Sequence, residues 1–177
     1  MQIVRESETV RNYTEDTLTM QQISDVLWSA ISVNRSQNEH RHSSFPARNA
    51  QQIEVYAFLE SGIYFCDSTK QELVLIKAGD HRKDVVEQEQ EFAQKAPPLV
   101  LVFVAKQYQS NSRTDGDNRD ISPIDVGFAI QNVYLYCVSE ELTTVVLSMI
   151  DREKIAKLIS LKNGKVILGQ AVGKTVR

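Results

Sequence analysis

Two cysteines and three histidines are all that 177 residues offer for thiol chemistry or soft-metal ligation. Cys66 and Cys137 stand far apart, form no C-x-x-C pair and are each flanked by apolar residues. A dense disulfide framework is excluded, and reduced, buried thiols in a cytoplasmic protein are expected; spacing leaves open a bond between the two. His40 and His42 have no Cys, Asp or Glu at a ligand spacing, so no metal site is expected. No apolar run approaches the roughly 20 residues of a membrane span. The opening MQIVRESETVRNY lacks the apolar core of a secretory signal. Basic excess is missing too. Twenty Lys and Arg against 23 Asp and Glu leave a net charge of -3, and no basic stripe interleaves with aromatics, which argues against nucleic acid as a partner. There is no G-x-S-x-G elbow, and no pair of carboxylates stands out. The chain shows no self-sufficient catalytic group; as an enzyme it needs a cofactor for the hard chemistry.

What is present begins with the tail, LGQAVGKTVR. It resembles a phosphate-binding G-x-x-x-x-G-K-[ST] loop, but only three residues separate Gly169 from Gly173. Such a loop also works by opening a helix, for which the two residues after Thr175 leave no room. Gly173, Lys174 and Arg177 therefore read either as a solvated basic terminus or as anion ligands on a terminal strand, the glycine admitting close approach. DGDNRD, at 115–120, comes near a calcium loop but has Arg119 at the third ligand position and no closing Glu.

Length suits one domain, 1–177, with a real core. Thr19-Met20-Gln21-Gln22 is a capping box, and Ile23, Val26, Leu27, Ala30 and Ile31 recur at helical spacing behind it, predicting a helix over 19–32. Residues 53–59 are rich in strand formers. GIYFC and ELVLIK flank Asp67-Ser68-Thr69-Lys70 as a hairpin. A charged helix is predicted over 84–95, ending before Pro97-Pro98. LVLVFVA, at 99–105, is a continuous apolar run and predicts a central strand buried on both faces. Ser122-Pro123-Ile124-Asp125 starts a helix over about 123–140 that is apolar nearly all round. One small domain cannot easily cover such a helix, so a subunit interface is expected. TTVVLSM is a strand; Asp151 caps a short helix stopped by Asn163-Gly164; KVILGQAV is the last strand. Helix, three strands, helix, strand, long helix, strand, helix, strand is an α+β layer fold.

Several stretches, in order, resemble the FMN-dependent nitroreductase family. Ser7 to Tyr13 aligns with its opening R-R-S-x-R-x-[FY], and FPARNAQ (45–51) is similar to its P-S-A-R-N-x-Q. KAGDHR fits, DVGFAIQNVYLYCVSEELTTVV resembles the long central helix and following strand, and VILGQAVGK resembles a final Q-P-V-G-Y-P strand. Together they point to the branch that includes the azoline-oxidising dehydrogenases. The resemblance implies a mixed, mainly antiparallel sheet flanked by helices, and a homodimer with the central helix and two FMN sites at its interface. It implies that flavin takes hydride from NADH or NADPH and reduces a small organic acceptor in a ping-pong cycle, with no catalytic side chain required.

Residue by residue, the resemblance assigns FMN contacts to Thr9, Arg11, Pro46, Arg48, Asn49, Val146, Leu147, Ser148, Gly173, Lys174 and Arg177. Thr9 keeps the hydroxyl of the motif serine, Arg11 is the second motif arginine, and Gly173, Lys174 and Arg177 become phosphate ligands. The departures are Ser7 and Glu8 in place of two basic residues, Phe45 and Pro46 in place of the motif proline and serine, and Ala171 in place of the last proline. A carboxylate within about 4–6 Å of a phosphate repels it. The alternative reading is a non-enzymatic, flavin-poor member of the same fold acting as a binding or partner subunit.

Overall fold

The computed structural model describes residues 13–14, 16–31, 53–87, 96–106 and 122–174. Three helices and six strands are present among them: α1 (Met20–Ile31), β1 (Ile53–Leu59), β2 (Gly62–Asp67), β3 (Glu72–Ala78), β4 (Leu99–Ala105), α2 (Ser122–Ser139), β5 (Thr143–Leu147), α3 (Arg152–Leu158) and β6 (Lys165–Gly173). The strands form one sheet in the order β3-β2-β1-β4-β6-β5. Each of its five pairings is antiparallel. The fold is α+β.

The sequence pattern explains the middle of the sheet. Every residue of β4 is buried, and alternate side chains point to opposite faces. Leu99, Leu101 and Phe103 enter a core built with α1 and α2. Val100, Val102 and Val104 enter a second core with Val85, Val86 and Ile155 of α3. Two helices thus cover one face, and α3 covers the other.

Helix starts follow the predicted caps. The Thr19 hydroxyl accepts the Gln22 amide at 3.1 Å, and Gln22 Oε1 accepts the Thr19 amide at 3.0 Å. Asp151 Oδ1 accepts the Lys154 amide at 2.9 Å. In the hairpin turn Asp67 Oδ1 accepts the amides of Thr69 and Lys70, both at 3.0 Å.

Two expectations are corrected. The charged helix predicted over 84–95 does not begin at 84: Arg82–Val85 is a 3-10 turn, after which Val86 bridges to Ile150; the rest of that prediction, residues 88–95, lies outside the described set. Burial of Val85 and Val86 against the sheet overrides the helical pattern. The short helix α3 stops at Leu158, not at Asn163-Gly164. Ser160 takes a left-handed φ of 53°. Its amide bonds Lys157 O at 3.2 Å, and the Leu161 amide bonds Ala156 O at 2.9 Å, a double closure usually built on glycine. Glu141, with φ 56°, ends α2 in the same way. Gly164 serves β6 instead: a Cβ there would lie 2.6 Å from Ala105 O.

Asp84 ties the 3-10 turn to α3. Its carboxylate meets His81 Nδ1 at 2.8 Å and Lys154 Nζ at 2.7 Å. Burial pushes its pKa up, but the bonds and charges of Lys154 and His81 outweigh this and hold it below the usual carboxylate range. A depressed folded-state pKa stabilises above the unfolded value and is lost as pH falls through the folded one. Asp84→Asn is expected to lower stability at pH 7 by about 0.5–1 kcal/mol, as the pair is partly exposed. That deficit should shrink below about pH 4. Urea midpoints at pH 7 and pH 3 check this; a deficit independent of pH would rule the ion pair out.

Candidate functional site

The N-terminal and C-terminal parts of the chain meet at the end of β6. The Thr14 amide donates to Lys174 O at 2.8 Å. The Tyr13 ring lies over Gly173: a Cβ on that glycine would come within 2.6 Å of Tyr13 Cδ1 and 2.9 Å of Pro98 Cδ. The close approach that Gly173 permits is thus by the chain's own Tyr13 and Pro98. Lys174 follows, half-buried, and among the described residues no carboxylate pairs with its ammonium. Tyr13, the last residue of the opening motif, and Gly173-Lys174 of the tail therefore share one corner, where no described carboxylate meets the Lys174 ammonium.

The other predicted contacts lie along β5, the edge strand beyond β6. Thr143 sits opposite Gly173 and Leu147 opposite Gly169. From Thr143 to Ser148 is five residues, roughly 17 Å of strand. This separates the Lys174 corner from the Val146–Ser148 end. Leu147 is buried in the α3-side core. Val146 is half-buried and Ser148 exposed. The Val146 amide donates to the Tyr134 hydroxyl of α2 at 3.1 Å, and Arg152 donates to Ser148 O at 3.3 Å and to Ile167 O at 3.1 Å. Thr9, Arg11, Pro46, Arg48, Asn49 and Arg177 lie outside the described residues, as do Ser7 and Glu8.

α2 roofs this end. Its inner stripe, Val126, Ala129, Ile130, Val133 and Cys137, is buried. On the other side Ile124 is 58 % and Phe128 54 % exposed. Beneath the helix Gln170 is fully buried, and its Nε2 donates to Ile130 O at 3.4 Å. Gln170 and Tyr134 were not among the predicted site residues. Gln170 does sit in the recognised GQAVG stretch, whereas the Tyr134 bond crosses between two elements and leaves no local signal.

Both cysteines are free and buried. Burial pushes the Cys66 thiol up and the Cys137 thiol up to about 12. Burial and nearby Asp25 push the Tyr136 hydroxyl up to about 12. These groups stay protonated at neutral pH and offer no nucleophile.

The model of the nitroreductase family matches residues 4–174. This chain belongs to the nitroreductase family. A curated nitroreductase-type protein of Methanocaldococcus jannaschii is 26 % identical over 94 % of this chain and 86 % of its own length. A nitroreductase-type crystal structure from Ralstonia eutropha is 29 % identical, with a TM-score of 0.83 over 99 % of this chain and 82 % of that one. A nitroreductase-type structure from Desulfovibrio desulfuricans in complex with FMN is 14 % identical, with a TM-score of 0.67 over 99 % of this chain and 86 % of that one. The last likeness is one of fold. No helix among the described residues is long and apolar enough to cross a membrane. The described donor set of this nitroreductase-family chain fits a phosphate, with one free cation at a strand end and no opposing carboxylate within the described corner.

Proposed function

We propose that this chain is a homodimeric, cytoplasmic oxidoreductase that holds FMN and uses NADH or NADPH to reduce a small organic acceptor, such as a nitro compound or a quinone. The observation that carries the reading is the closure of Tyr13-Thr14 onto Gly173-Lys174. It draws together two motifs more than 150 residues apart in sequence, and a phosphate ligated from both is its simplest use. When bound, FMN would supply the redox-active ring, accepting hydride and passing electrons on in a ping-pong cycle. Lys174 would meet the phosphate, with Thr9, Arg11 and Arg177 beside it. Arg48 and Asn49, with the Pro46 backbone, would line the flavin. The Val146–Ser148 backbone would border the ring, with Tyr134 holding the Val146 amide in place. The exposed Ile124–Phe128 face of α2 would seal the site against a second copy and exclude water. Two free, buried cysteines suit a reducing compartment.

The purified protein is expected to show the two absorption bands of oxidised flavin, or to gain them on adding FMN, and to bleach with NADH or NADPH. Glu8 favours the second reading, a flavin-poor partner subunit, because a carboxylate replaces a motif cation. A protein that stays colourless with excess FMN but binds it once Ser7→Arg and Glu8→Arg are introduced would establish that reading. Each restored charged hydrogen bond is worth about 1.5–3 kcal/mol.

A further inference from the structure

Tyr134 of α2 reaches the outer edge of the sheet. β5 is the last strand, with β6 on one side and no described strand on the other. Val146 sits opposite Gln170 in that pairing. Residues of an antiparallel pair alternate between those that bond the neighbouring strand and those that face away from it. The Val146 amide faces away, donating to the Tyr134 hydroxyl at 3.1 Å. That bond restricts where the phenol hydrogen can go. One lone pair of the oxygen is turned to the strand, so the O–H bond points elsewhere. Among the described residues no acceptor takes that hydrogen. Tyr134 is half-buried and packs with Val146 on the helical core, which holds the hydroxyl in place.

The other described proton donors nearby are engaged, buried or remote. The Tyr136 hydroxyl, two residues on, donates to Asp25 at 3.4 Å. The Cys137 thiol is buried in the helical core. Lys174 lies beyond the opposite end of β5, where Thr143 pairs with Gly173. Arg152 already donates to Ser148 O and Ile167 O, and a guanidinium does not give up its proton. Tyr134 is thus the described phenol whose hydrogen is available at the Val146–Ser148 end.

We propose that Tyr134 is the proton donor to the electron acceptor. The inference rests on the flavin reading of this site. A quinone that has taken a hydride from reduced flavin is a hydroquinone anion and lacks one proton. Tyr134 supplies it: the phenol O–H bond breaks, an O–H bond forms on the acceptor oxygen, and water returns a proton to the phenolate. Quinone, hydride and one proton together make the hydroquinone. The Val146 amide stays on the phenolate oxygen while this happens, so the charge that develops there has a hydrogen-bond donor already in place. The bond that aims the hydroxyl therefore also serves the step.

The test loads the full-length protein with FMN, reduces it with stoichiometric dithionite and follows reoxidation by benzoquinone or by ferricyanide, which takes electrons without a proton. Tyr134→Phe keeps the ring and removes the O–H. The variant should bind FMN as the native chain does, and its reoxidation by ferricyanide should be unchanged. Reoxidation by benzoquinone should slow by about 100-fold, the lower end of what a positioned general acid contributes. In the native chain, heavy water should slow the benzoquinone step and leave the ferricyanide step alone, which tests the proton without a variant. Hydrogen exchange in the FMN-free protein needs no turnover: the Val146 amide should exchange faster in Tyr134→Phe, and the β4 amides should not. An unchanged benzoquinone rate, or equal slowing with both acceptors as a structural role would give, overturns the proposal. So does an equal effect of heavy water on both acceptors, or unchanged exchange at Val146, which would take Tyr134 off this edge in solution. A native chain that never takes up FMN brings down the flavin reading and this inference together. One that takes up FMN and keeps its benzoquinone rate in Tyr134→Phe brings down this inference alone.

Discussion

Replacing Gly173 by alanine is expected to destabilise the protein by about 1–3 kcal/mol, the range for forcing an extra methyl into a packed site. The new Cβ would meet Tyr13 Cδ1 at 2.6 Å and Pro98 Cδ at 2.9 Å. Both belong to rings, and Pro98 immediately precedes the central strand β4. Neither can step aside as a flexible chain end would. Relief comes most easily by lifting the Tyr13 segment away, which also breaks the Thr14–Lys174 bond. FMN binding should fall with it, by more than the change in global stability requires. Urea denaturation with a parallel FMN titration measures both. Unchanged values in both would remove Gly173 from any account of this corner. A stability loss with intact FMN affinity would leave it a purely structural glycine.

The second large effect is expected at α2. Phe128→Asp places a charge on a face where Phe128 is 54 % and Ile124 58 % exposed in the single chain. If that face is the subunit contact, an interface anchor lost there costs about 2–4 kcal/mol, or roughly 30- to 1,000-fold in dimer affinity. Desolvation of the new carboxylate adds to this. Sedimentation at graded concentrations should show a dimer for the native chain and a monomer for the variant. FMN should leave with the partner, because the proposed sites are completed at the interface. A variant that stays dimeric places the contact elsewhere.

Much of the architecture was legible in the sequence where local chemistry decides. The unbroken run LVLVFVA became the two-faced strand β4, and Thr19 and Asp151 cap their helices as their types predict. Helix ends were less legible. Ser160 and Glu141 take left-handed conformations that residue type does not announce. The backbone bonds that close each turn compensate the cost. The start of the charged 84–95 stretch misled because burial of Val85 and Val86 is a tertiary fact. At the candidate site, the bond from Thr14 to Lys174 O joins residues 160 apart and leaves no local signal. The Tyr134 bond to the Val146 amide joins residues 12 apart on two elements, and the donation from Gln170 to Ile130 O spans 40. No periodicity carries such pairings.

The division of β4 between two cores has a consequence for how the molecule comes apart. Phe103 and Leu101 serve one core, while Val102 and Val104, their immediate neighbours, serve the other. A fluctuation that frees the helical pair from one side strips one set of β4 side chains, but the strand stays clamped by the other set. Its amides open only when both layers fail. Exchange at β4 should therefore report global unfolding, while α1 and the β3 edge open at lower free energy. The strand behaves as a keel: either flank can loosen, but the hull parts only when it does.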